Sequence, residues 1–161
     1  NCFVAEAQGV IVGYSVCSAD TRRYYRVVLT KLLPWMIGRF LWRLLTMQYR
    51  STSTFHVAWW LLTRSWREIP EASLEKYPGH MHLTLAPTHR GVRLGRDLVR
   101  AAAACGRSLG LPGGHGVVIE EAGRNAFARA LGARLLESRP CTLWKHCSDR
   151  EWEFKLLVLD F

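Results

Sequence analysis

The sequence has no acidic residue between positions 21 and 67. It also has no CxxC pair, and its 5 cysteines (Cys2, Cys17, Cys105, Cys141, Cys147) are odd in number. A disulfide framework or zinc site is therefore not expected, and a reducing cytoplasm fits better. Glycine and proline are modest, at 13 and 6 residues, while 49% of the chain is apolar. That balance excludes disorder. Long apolar runs are missing too. The most apolar region, 27–47, is interrupted by Lys31, Arg39 and Arg43. It falls short of the roughly 18–20 residues a membrane span needs, which excludes a polytopic membrane protein. No leader-like segment follows Asn1, so a fragment or trimmed chain is expected.

What remains is 161 residues, enough for one compact domain over 1–161. The formal charge of +9 is concentrated. Arg22, Arg23, Arg26, Lys31, Arg39, Arg43, Arg50, Arg64 and Arg67 carry all of it, and the other charges cancel. The same stretch holds Trp35, Trp42, Trp59, Trp60 and Trp66. Such a block suits phosphates, nucleic acid or anionic lipid. It equally suits an amphipathic helical layer with a solvated arginine face.

Residues 2–6 and 10–17 are β-rich and flank Ala7-Gln8-Gly9, which predicts a hairpin. Asp20 caps a helix running to about Leu33, broken at Pro34, with a second stripe at Ile37, Leu41, Leu44 and Leu45. Residues 51–54 read as loop, and 55–62 as helix or strand. A helical turn or two is expected over 70–76. Residues 80–85 alternate as a strand. Leu94, Leu98, Ala101, Ala102, Cys105 and Leu109 form a helical stripe closed by Gly110 and Pro112. A short buried strand at 117–119 follows, then a helix at 125–131 and strands at 134–144 and 152–159. The fold class is α/β or α+β, a mixed central sheet with flanking helices and a helical insert at about 20–76.

The chemistry-bearing segment runs from Leu83 to Leu98. A strand ends at Pro87, a loop with Gly91 and Gly95 follows, and a long helix begins. Unpaired backbone N–H groups at a helix start form a cradle for pyrophosphate. Arg90, Arg93 and Arg96 sit at that same end, against the helix dipole, and make sense there if an anion binds.

Arg90-Gly91-Val92-Arg93-Leu94-Gly95 resembles the [Q/R]-x-x-G-x-[G/A] signature of the GNAT superfamily of acyl-CoA-dependent N-acyltransferases. The element order is similar from the family's second strand onward. Tyr77-Pro78-Gly79-His80-Met81-His82-Leu83-Thr84-Leu85 looks more particularly like the O-GlcNAcase-associated acetyltransferase-like branch and its bacterial relatives. The resemblance implies acetyl-CoA as co-substrate and no metal. Leu83, Thr84 and Leu85 would pair with the pantetheine amides. Gly91, Val92, Arg93, Leu94, Gly95 and Arg96, with Arg90, would hold the pyrophosphate. Asn125 would face the pantetheine arm.

The chain departs from the family pattern in several places. Arg93 stands where the family's first motif glycine is expected, and fits if its φ is negative. The tyrosine that often protonates the leaving thiolate falls on Ala128, beside Phe127. Thr84 replaces the branch's aspartate. The 125–132 helix is about one turn short, and the family's first strand and two helices are absent.

His82 is the base candidate, sharing a strand face with His80 and Thr84. A metal reading would need a third ligand such as His89. Glu121, with Glu120, is a second base candidate or a solvated strand end. His115 reads as a loop residue and Cys105 as core. Trp59 and Trp60 read as core or acceptor wall.

The expected activity is direct transfer of an acetyl group from acetyl-CoA to an amine, the partners being acyl-CoA and an acidic or amphiphilic acceptor. One alternative is a degenerate module that binds CoA or a partner without catalysis. Another is binding of anionic membrane or nucleic acid through the insert, with nucleic acid the less expected. Oligomeric state, dimer included, is left open.

Overall fold

The computed structural model describes every residue except Arg50 and Val92. Its centre is a six-stranded sheet in the order β1-β2-β3-β4-β6-β5. Strands β1 (Cys2–Ala7) and β2 (Val10–Ser18) form the expected hairpin. Gln8 and Gly9 both take left-handed φ values, 52° and 78°. Two such residues in succession give the turn that matches the twist of paired strands.

Strand β3 (Gly79–Leu85) pairs antiparallel with β2 from Ser18↔His80 to Gly13↔Leu85. Its other neighbour is β4 (Gly113–Glu121), in parallel. That pairing consists of Gly79↔Gly114 and His80↔His115, after which the strands diverge. Strand β4 then pairs along its length with β6 (Trp152–Asp160), which also carries β5 (Arg134–Cys141). The sheet is thus split on one side of its centre.

Residues 113–116 belong to β4 and are not a loop. Glycine is required there by close approach. A Cβ on Gly113 would lie 2.7 Å from the Leu159 carbonyl oxygen, and one on Gly116 3.1 Å from that of Met81. Glycine-rich composition hid a strand whose glycines serve packing.

Helix α5 (Leu94–Ser108) crosses one face of the sheet on Gly95, Leu98, Val99, Ala102, Ala103 and Gly106. The expected stripe is rotated, since Leu109 is exposed and Ala101 and Cys105 are only half-buried. Small residues make the contact because the sheet presents bulky Leu83 and Leu85 beneath Gly95. Hydrophobic periodicity undercounts glycine and alanine. Helix α6 (Ala126–Leu131) follows β4.

The opposite face is covered by the insert. Trp60 stacks on Phe154, ring centroids 5.6 Å apart, with Cys141 in the same cluster. Tyr77, Leu156 and Val158 form a second cluster. Helix α3 (Thr52–Thr63) resolves the ambiguity at 55–62, and Ser51 caps it within the stretch expected as loop. Helix α4 (Ser65–Glu68) follows. Residues 70–76 hold the expected single helical turn, at their end, and no longer helix. In that turn the N–H groups of Lys76 and Tyr77 donate to the Ser73 carbonyl.

Asp20 caps α1 (Thr21–Val27) by accepting from the Arg23 N–H at 2.9 Å. The expected break at Pro34 does not occur. A π-helical segment, Val28–Leu32, leads directly into α2 (Leu33–Leu45). The Leu33 N–H donates to the Val28 carbonyl, five residues back. That wider turn absorbs the donor Pro34 lacks and the bulk of its ring. Helix α2 has no buried residue, so its apolar stripe faces outward.

Candidate active site

The divergence of β3 from β4 opens a V-shaped cleft. In its crotch is a cavity of about 120 Å³. Met81, Leu83, Phe127 and Leu131 line it from the α6 side, and His82, His115 and Val117 from the insert side. The gap therefore passes between the strands. It continues into a groove of about 450 Å³ that shares Leu83, Phe127 and Leu131. This groove collects Leu83, Thr84, Leu85, Arg90, Gly91, Arg93, Gly95 and Arg96, residues far apart in character but gathered by one strand, one loop and one helix start. Leu94 is half-buried at the first position of α5 and is not part of that lining. Val92 lies outside the described residues.

The loop is built by local rules. Pro87, Thr88 and His89 form a 3₁₀ turn, and Gly91 takes φ 83°. The first bond of α5 runs from the Asp97 N–H to the Arg93 carbonyl at 3.1 Å. The amides of Leu94, Gly95 and Arg96 thus have no partner within the helix and point out of its end. Arg96 is partly committed, its Nε donating to the Ala130 carbonyl at 3.0 Å, which ties α5 to α6. Arg90 and Arg93 are exposed at the groove. Arg93 corrects one expectation. Its φ is +68°, not negative. An L-residue is held in the conformation that glycine adopts freely.

Asn125 stands at the N-cap position of α6 without a side-chain cap bond, and it is not in the groove lining. Its Oδ1 accepts from Lys155 Nζ at 3.3 Å. Lys155 is 2% exposed. It also donates to the Arg124 carbonyl and pairs with Glu120 (3.7 Å) and Glu153 (3.3 Å). Glu120 is not a solvated strand end. It is buried, and its Oε1 accepts from the Ala126 N–H at 2.8 Å. This buried network sets the start of α6 against the cleft. A lysine between Phe154 and the apolar run from Leu156 to Leu159 was the one signal the sequence offered for it.

Glu121 lies half-buried at the far end of β4, paired with Arg124 at 3.0 Å and Arg150 at 3.9 Å. Helix α6 presents Phe127 to the groove, Ala128 is buried, and the helix has no hydroxyl residue.

On the insert side the histidines converge. His82 is exposed, its ring centroid 4.5 Å from that of His80. His80 stacks on His115 at 4.9 Å, and Tyr24 packs edge-on to it at 5.5 Å. His115, expected in a loop, is buried on β4, and its Nδ1–H donates to the Tyr77 carbonyl at 2.8 Å. Burial, with His82 and His115 nearby, lowers the His80 pKa to about 4. His80 is therefore neutral at pH 7 and puts no charge beside His82. Among the described residues no three His, Cys, Asp or Glu side chains form a metal-ligating group, so His89 does not join His80 and His82 in one.

Several solved structures share this architecture. SsHAT is 26% identical over 99% of this chain and 71% of its own, with a TM-score of 0.64. The Drosophila melanogaster polyamine N-acetyltransferase, an enzyme that forms N-acetylagmatine, is 21% identical over 99% of this chain and 74% of its own, at 0.50. A streptothricin acetyltransferase candidate from Bacillus anthracis, in complex with acetyl coenzyme A, is 11% identical over 99% of this chain and 61% of its own, at 0.51. The chain has the GNAT fold, a mixed six-stranded sheet flanked by helices, and its structural neighbours include N-acetyltransferases. No protein-family model matches the chain, and no curated protein sequence does.

Proposed function

We propose that the chain is a GNAT-superfamily acyl-CoA-dependent N-acyltransferase, most simply an acetyltransferase, acting as one domain over residues 1–161. The observation that carries this is the continuous groove from the α5 start to the β3–β4 gap. It offers the chemistry acetyl-CoA needs. Free amides of Leu94, Gly95 and Arg96, with Arg90 and Arg93, suit the pyrophosphate. The unpaired edge of β3 from Met81 to Leu85 suits the pantetheine amides. The thioester would lie in the crotch, where backbone donors stabilise the developing oxyanion. The acceptor amine would approach from the insert side and lose its proton to His82 or to water. Its nitrogen would bond to the acyl carbon, and the C–S bond would break to release the CoA thiolate, which would take a proton from water. Positioning supplies most of the rate.

His80-Met81-His82 after Tyr77-Pro78 supports the O-GlcNAcase-associated branch. Five free cysteines fit a reducing, cytoplasmic setting. The basic, Trp-rich insert suits an acidic or amphiphilic amine.

A second reading, a CoA-binding module without turnover, is favoured by one feature. Helix α6 carries no hydroxyl to protonate the leaving thiolate. Calorimetry with acetyl-CoA, followed by thiol release over an amine panel, separates the two. Binding with release is expected. Binding without release would select the second reading, and no binding would remove both. Arg90→Glu should weaken binding at an exposed position, and Gly95→Asp should abolish it. Undiminished affinity in both would sink the loop assignment.

A further inference from the structure

Helix α2 of the basic insert lies outside the cleft and the groove. The helix from Thr21 through the π-helical segment to Leu45 spans roughly 35 Å at the usual rise per residue. It is anchored at one end. Thr21 is buried, and both its N–H (3.1 Å) and its hydroxyl (2.6 Å) donate to the Pro78 carbonyl. From there the helix runs outward. Helix α2 buries none of its residues. Trp35 and Trp42, two turns apart on one line, are 67% and 61% exposed, and Leu45 is 81% exposed. Arg39 and Arg43 lie to one side of that line, one turn from each other. Helix α3 adds Trp59 and Leu62, at 67% and 78% exposed.

An apolar helix with no buried face needs a partner. The charge pattern selects it. The stretch 21–67 carries +9 and no acid, so two copies would bring like charges together. Nucleic acid would satisfy the arginines but leave Ile37, Leu41 and Leu45 in water. A lipid surface of negative charge satisfies both, with arginines at the phosphates and tryptophans at the headgroup level. No helix among the described residues is long and apolar enough to cross a membrane, so the helix would lie in the interface.

We propose that the α1–α2 helix docks this protein on an anionic bilayer surface. Its anchored end lies beside His80, since Tyr24 packs on that ring. A docked protein would hold the insert side of the cleft at the lipid surface. The proposal rests on exposure and charge, independently of the acetyltransferase reading, and its test needs no acetyl-CoA.

The test is co-sedimentation and tryptophan emission with two vesicle types. One is phosphatidylcholine alone, and the other equal parts phosphatidylcholine and phosphatidylglycerol. Tight binding and a blue shift are expected with the anionic vesicles. Arg39→Gln and Arg43→Gln should each weaken binding roughly fivefold. Trp35→Ala with Trp42→Ala should remove the shift. These side chains are exposed, and unchanged circular dichroism will confirm that each variant folds. Equal binding to both vesicles, or to neither, would overturn the proposal. So would a dimer, seen by light scattering, that the tryptophan substitutions dissolve. Duplex DNA binding that survives those substitutions, without vesicle binding, would overturn it in favour of nucleic acid.

Discussion

The His80 and His115 rings stack 4.9 Å apart and 4° from parallel at the last residue pair that β3 and β4 share. Beyond this pair the strands diverge, so the stack forms the floor of the cleft. Protonating it would place positive charges in contact.

Acid should therefore loosen the cleft. The His80 pKa is lowered to about 4, by burial first and then by His82 and His115. Burial also lowers that of His115, against opposing hydrogen bonds to Tyr77 and Gly79. A lowered histidine pKa means the unfolded chain binds the proton more readily. Stability from this pair is present above the ordinary value of 6.5 and drains as pH falls toward about 4. Urea midpoints at neutral and acidic pH will check this. His80→Phe keeps a ring but cannot titrate, and should flatten the acid loss. An unchanged slope would refute the assignment.

Arg93 stands at φ +68° at the head of α5. Arg93→Gly removes that strain and a positive charge at the positive end of the helix. Stability should rise by about 1 kcal/mol, read from denaturant unfolding. If Arg93 also covers the pyrophosphate, acetyl-CoA affinity will fall in the same variant. A destabilised Arg93→Gly would contradict the backbone argument.

Lys155 is enclosed with Glu120 and Glu153 and holds the Arg124 carbonyl. Lys155→Met leaves buried carboxylate charge without its partner. We expect a loss of about 3–5 kcal/mol. Adding Glu120→Gln should restore part of it, because the orphaned charge is removed. Losses that simply add in the double variant would mean that the pair does not act as a unit.

Glu68 fastens the insert to the far end of β5. It accepts from Trp60 Nε1 at 2.8 Å, the Thr142 N–H at 2.8 Å and the Thr142 hydroxyl at 2.6 Å. Burial alone would raise its pKa, but these bonds and nearby Arg64 outweigh it, and the pKa is lowered. Its contribution is present above the ordinary carboxylate value and is lost as pH falls through the lowered one. Glu68→Ala should increase tryptophan quenching by acrylamide, as Trp60 loses its acceptor. Unaltered quenching would argue against this latch.

Local rules in the sequence determined much of this protein. Gln8-Gly9 between two β-rich runs dictates the hairpin, because few other residue pairs take two left-handed conformations in succession. Asp20 marks a helix start, since its carboxylate meets a free amide. The alternation at 80–85 and the loop after Pro87 make a strand, a turn and a helix end, with the groove residues from Leu83 to Arg96 close in sequence. What lies far apart in sequence was decided by tertiary structure. His115 joined His80 only because β4 runs parallel to β3 for two residues. Lys155 found Glu120 across a strand pair whose register no single-chain pattern encodes. The buried face of α5 mixes glycine and alanine with Leu98 and Val99, a choice set by what the sheet presents. Helix α2 shows the reverse. Its sequence reads as a packed stripe, yet among the described residues the helix has none that is buried, because burial depends on a partner surface and not on periodicity.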